Sequence, residues 1–155
     1  MQPVNQPSAP ASSSVVLRDV SWAFYQALLQ EVGDQPLRIT VDRGDLEITS
    51  PSPRQERWKT FIGRLIEILS LERGIAIASY GSTTFAREEL ERGLEPDECY
   101  YVQHESAVRG REELDLRRDP PPDLVVEVDL WRRPIRREAI YAAMGVPEMW
   151  RFDGR

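Results

Sequence analysis

The sequence predicts an α/β (α+β) domain with a mixed central β-sheet flanked by helices, and three stretches carry that expectation. The first is Pro120-Pro121-Pro122-Asp123-Leu124-Val125-Val126-Glu127-Val128-Asp129-Leu130. Strand side chains alternate, so Leu124, Val126, Val128 and Leu130 share one face, and Asp123, Val125, Glu127 and Asp129 the other. A run this rich in Val and Leu belongs near the middle of a sheet, where a carboxylate needs a partner. The second is a pair of amphipathic segments, 21–32 and 53–73, with apolar residues at helical spacing. The third is a hairpin: Leu37 to Asp42 alternates, Arg43-Gly44 turns the chain, and Asp45 to Ser50 alternates again.

Composition sets the bounds. A chain of 155 residues is one domain with enough length for a core. Its 41% hydrophobic content fits a globular protein, and no apolar run approaches the roughly 20 residues of a membrane helix. With Cys99 as the only cysteine there is no intrachain disulfide, which suits a cytoplasmic setting. The net charge of −6 argues against broad, non-specific nucleic-acid binding while leaving room for a local basic groove.

Taken in order, residues 1–14 are rich in Pro, Ser and Ala and read as a disordered tail, with one domain over 15–155. Ser21 caps the first helix and Gly33 stops it. Ser52-Pro53-Arg54-Gln55 opens the second as a capping box with Pro at its first position. Trp58, Phe61, Ile62, Leu65, Ile66 and Leu69 form its expected inner face, opposite Glu56, Gly63 and Glu67. Strands follow at 75–79, 82–87 and 94–102, with a charged loop at 88–93 and an exposed charged excursion at 103–119. After the acidic strand comes a helix at 136–144, stopped by Gly145, and a last strand begins at Glu148. A strand opening so near Arg155 raises the expectation of a C-terminal truncation.

Geometry sorts the acids. Asp123 and Glu127 lie about 13 Å apart along a strand, too far to share one ion, whereas Glu127 and Asp129 are about 6.6 Å apart on one face. Asp97, after Pro96 on another strand, can meet Glu127 if those strands are neighbours. Carboxylates from two adjacent strands are an ordinary way to hold Mg²⁺. Asp123 reads instead as a strand-entry cap, and His104 as a solvated loop residue.

At this point the chain resembles the Uma2 family within the PD-(D/E)xK nuclease superfamily. The resemblance rests on Gly44 to Pro51, Gly81-Ser82-Thr83-Thr84, Glu95-Pro96-Asp97 with Tyr100-Tyr101, Pro120 to Val128, and Ile140 to Trp150. It implies a restriction-endonuclease-like core, Mg²⁺ (or Mn²⁺) as cofactor and DNA as substrate. Carried over residue by residue, Asp97 and Glu127 match the metal-binding acids. Glu56 matches the acid on the long helix. Arg137 stands where many members place a basic residue four before the tyrosine of the following helix. Two departures stand out. The superfamily's Lys two residues after the acid is Asp129 here, and the relocated Lys is Arg137. Arginine keeps its proton, so it can stabilise phosphate charge but cannot act as a general base. The reading is therefore a Mg²⁺-dependent endonuclease acting on DNA. The alternative is a catalytically inactive remnant, its acids neutralised by Arg132, Arg136 or Arg137, that serves as a binding or homodimeric module.

Overall fold

A computed structural model describes residues 14–155; of the 1–14 tail expectation, all but Ser14 lies outside that range. Among the described residues nine strands form two sheets rather than one, accompanied by four α-helices. The first sheet is wholly antiparallel, in the order β1-β3-β2-β6-β5. It comprises β1 (Ser14–Leu17), β2 (Arg38–Asp42), β3 (Asp45–Thr49), β5 (Phe85–Arg87) and β6 (Arg92–Leu94). The second sheet is mixed, in the order β4-β7-β8-β9, from β4 (Ala78–Ser79), β7 (Glu98–Tyr101), β8 (Leu124–Val128) and β9 (Glu148–Phe152). β7 runs antiparallel to β8, and β9 parallel to it. A parallel neighbour needs a crossover, and α4 (Arg137–Met144) supplies it.

Local chemistry explains the elements read correctly. Ser21 accepts a hydrogen bond from the Phe24 amide and opens α1 (Trp22–Val32). Ser52 does the same for Gln55 at the start of α2 (Pro53–Arg73). The β2–β3 hairpin turns through Arg43 and Gly44, both at positive φ, as a two-residue hairpin loop requires. Two short elements differ from expectation. β6 begins two residues inside the stretch read as loop and ends at Leu94, where a strand was expected to start, and α3 (Glu105–Val108) tucks Val108 into the interior of the charged excursion.

The face of α2 also differs. Its buried residues are Gln55 and Gly63, while Phe61, Leu65 and Leu69 are about half exposed. Ile62 and Ile66 do pack, against Tyr100, Leu124 and Val126 of the second sheet. Gly63 is where the helix comes closest: a Cβ there would sit 3.1 Å from the Tyr100 hydroxyl. The helix approaches the sheet along a stripe chosen by close approach and by the Gln55 contact described below, not by the count of apolar side chains.

A second cluster joins the sheets: Phe85 and Leu94 from one, Cys99 and Val125 from the other, and Ile140, Tyr141 and Met144 from α4. β8 keeps the predicted alternation. Leu124 and Val126 face α2, and Val125 faces α4. Glu127, two residues on, therefore points to the seam between the sheets.

Candidate active site

Glu127 and Asp97 meet at this seam, both fully buried. Their strands are neighbours, with Glu98 of β7 opposite Val126 of β8. The Val128 amide donates to Asp97 Oδ2 at 2.7 Å, and Gln55 Nε2 donates to Oδ1 at 3.2 Å. Arg38 Nη2 stands 3.8 Å from Asp97 Oδ1 and 3.5 Å from Glu56 Oε1. Glu56 itself is about half exposed and also contacts Lys59. It sits on the rim, connected to Asp97 through Arg38. The residue of α2 that touches Asp97 is Gln55.

Arg137 is held inside. Its Nη1 donates to both oxygens of Glu127, at 2.7 and 2.9 Å, and to the Glu95 carbonyl at 2.9 Å. Its Nη2 donates to Thr40 Oγ1 at 3.0 Å. Tyr141, one turn along α4, donates its hydroxyl to Glu127 Oε1. Arg137, Ile140, Tyr141 and Met144 are the buried stripe of this helix, at the spacing one helical face demands. Burial pushes the Glu127 carboxyl up, Arg137 pulls it down, and Asp97 adds to the rise. Burial alone would lower Arg137, but the Glu127 charge outweighs it and the guanidinium is held above its ordinary value. Both burial and the Glu127 charge raise Tyr141 far above a free phenol.

Two further charged residues complete the cluster. Glu47 of β3 is fully buried, and neither carboxylate oxygen has a hydrogen-bond partner. It lies directly across from Thr40 and within the fields of Arg133 and Arg137. Burial raises its carboxyl. Arg133 donates to Asp129 through Nε and stands 4.0 Å from Glu127 Oε2. Sequence reasoning passed over Gln55, Glu47, Thr40 and Tyr141. The available signal was the polar face of the hairpin, where Arg38, Thr40, Glu47 and Thr49 share one side of the sheet and all are buried. Asp123, as expected of a cap, accepts from the Val102 and His104 amides and pairs with the His104 ring.

A family model, Uma2, described as “Putative restriction endonuclease”, matches residues 22–155. The chain belongs to the Uma2 family. The two-sheet α+β architecture is consistent with a restriction-endonuclease-like fold. No curated protein matches the chain significantly. No helix among the described residues is long and apolar enough to cross a membrane.

Restriction-endonuclease-like enzymes generally use a divalent metal. The Uma2 site has the right kind of donors for one: hard carboxylate oxygens on Asp97 and Glu127, and a buried Gln55 Oε1 without a partner. As arranged, these residues do not seat the ion. Arg137 spans both oxygens of Glu127, Tyr141 takes one of them again, and Val128 and Gln55 occupy Asp97. Among the described residues no group of three His, Cys, Asp or Glu side chains is placed to hold a metal. The cation next to Glu127 is a guanidinium.

Proposed function

We propose that this Uma2 protein is an endonuclease that hydrolyses phosphodiester bonds in DNA, with Asp97 and Glu127 as its acidic centre, and that Mg²⁺ or Mn²⁺ supports it only once Arg137 has released Glu127. The observation that carries this reading is the convergence of the two acids. Each is fully buried, Asp97 immediately precedes β7 and Glu127 lies in the neighbouring β8, and an arginine-lined cleft opens beside them. Acids shifted by burial and a specific charge partner beside a cleft are candidates for a functional site. Within the site, Gln55 and the Val128 amide fix Asp97, and Tyr141 fixes Glu127. Arg137 supplies positive charge but no base, because its proton is not released. Cys99, the only cysteine, is free and buried, so the fold rests on no intrachain disulfide and a cytoplasmic setting suits it.

One observation favours a second reading, a DNA-binding module without cleavage. Arg137 already neutralises Glu127, and a metal would have to compete with it. Incubation with plasmid DNA in millimolar Mg²⁺ or Mn²⁺, against an EDTA control, separates the two. Nicking or linearisation lost in Asp97→Asn and Glu127→Gln supports the nuclease. Plasmid left intact by folded wild type in both ions favours the binding module.

A further inference from the structure

A cleft of about 820 Å³ borders the acidic centre, lined by the β8–α4 connection, the first turn of α4 and the chain after β9. Six of its thirteen lining residues are arginine and three are acidic, in a chain whose net charge is −6. Glu138 pairs with Arg151, and Asp129 with Arg133. Arg132 and Arg136, both exposed, have no acidic partner among the described residues.

Two independent features of this corner bear on what it binds. One is Arg133. Its side chain is only 5% exposed, fixed by Asp129 at Nε and lying over the Trp131 ring at 5.4 Å. Nη2 faces Glu127 Oε2 at 4.0 Å, beyond hydrogen-bond reach, and neither Nη1 nor Nη2 has a hydrogen-bond partner. Two guanidinium nitrogens shielded from water and left without hydrogen bonds are costly, and a phosphate supplies matching acceptors. The other is the start of α4. Arg136 occupies the cap position and makes no side-chain cap hydrogen bond. The first-turn amides, with the positive end of the helix dipole, thus face a cleft lined by Ile135 to Glu138.

We propose that Arg133 and the first turn of α4 form a phosphate subsite for a nucleic-acid backbone, with Arg132 and Arg136 neutralising the flanking phosphates. This deepens the nuclease reading by stating where the strand lies. A single free anion would leave the exposed rim charges unused; a polyanion engages them together.

The test is fluorescence anisotropy of the full chain with a fluorescein-labelled 20-base-pair duplex in EDTA and low salt, so that cleavage plays no part. Wild type should bind, with affinity falling as salt rises by a log–log slope of about −0.9 for each phosphate engaged. Arg132→Glu with Arg136→Glu should weaken binding at least tenfold and flatten that slope. Arg64→Glu, an exposed charge on α2, should leave it unchanged. Arg133→Lys, which keeps the charge and loses the fork, should weaken binding as well. Absence of wild-type binding, or an equal loss with Arg64→Glu, overturns the subsite. So does inorganic pyrophosphate that competes as well as an equal concentration of oligonucleotide phosphate, since the site then takes free anions. Cleavage without dependence on the rim charges would remove the subsite and keep the nuclease; rim-dependent binding without cleavage would do the reverse.

Discussion

The Glu127 carboxylate lies 2.7 Å from the Arg137 guanidinium, with both side chains closed off from water. A buried pair of this kind is sensitive to loss of one member, because the survivor is left charged and uncompensated. Arg137→Met should cost about 3–5 kcal/mol in urea unfolding. Adding Glu127→Gln should recover part of that cost, giving a favourable coupling in a double-mutant cycle. Additive effects would show that the pair contributes no coupling despite the contact.

Glu47 predicts a pH dependence. Burial raises its carboxyl, so the folded state keeps the proton to higher pH than the unfolded chain does. Its contribution to stability is fully present below the ordinary carboxylate value and is lost as pH rises through the folded-state value. Glu47→Gln removes that loss. The variant should be more stable at neutral pH by about 1–3 kcal/mol, or roughly 2–4 °C in melting temperature for each kcal/mol. The advantage should vanish below pH ~4. A melting temperature that drops at neutral pH would show that the charged carboxylate is needed.

Gly93 of β6 faces the Tyr25 ring of α1. A Cβ at that position would come within 2.2 Å of the Tyr25 hydroxyl and 2.7 Å of Cζ. Tyr25 is fully buried, so the ring has nowhere to move. Gly93→Ala should destabilise by about 1–3 kcal/mol or more, and Tyr25→Phe should relieve part of this by removing the nearest atom. Unchanged unfolding of Gly93→Ala would refute the close approach.

The outer face of α2 predicts self-association. Phe61, Leu65, Ile68 and Leu69 are each more than half exposed on one helix, and contiguous apolar surface of that kind drives association. Sedimentation at rising concentration should show a homodimer. Leu65→Glu with Leu69→Glu should shift the protein to monomer while leaving its melting curve intact. A wild type that stays monomeric at high concentration contradicts this.

What could be read from the chain was what local chemistry determines. Ser21, Ser52 and Gly33 mark helix ends by satisfying or releasing end groups, and the Arg43-Gly44 turn fixes the hairpin register. β8 was legible because its alternation survives at the seam. The inner face of α2 was not, since apolar periodicity is blind to a glycine selected for closeness and to a glutamine selected for Asp97. β6 escaped because Arg92-Gly93-Leu94 is three residues long and carries no alternation. Asp97 and Glu127 could be paired in advance by assuming adjacent strands. Glu47 could not, because its charged neighbours arrive from the β8–α4 connection and from α4, which the spacing of a hairpin does not report.

Glu127, Arg133, Arg137 and Tyr141 all lie between the start of β8 and the end of α4. The Glu127–Arg137 contact closes over ten residues, whereas the Arg137–Thr40 bond closes over 97. By the logarithmic law for chain closure, the longer one costs about 2 kcal/mol more entropy. In kinetic terms, the ion pair is local enough to form within its own segment before the hairpin docks. Neither charge then has to enter the interior alone.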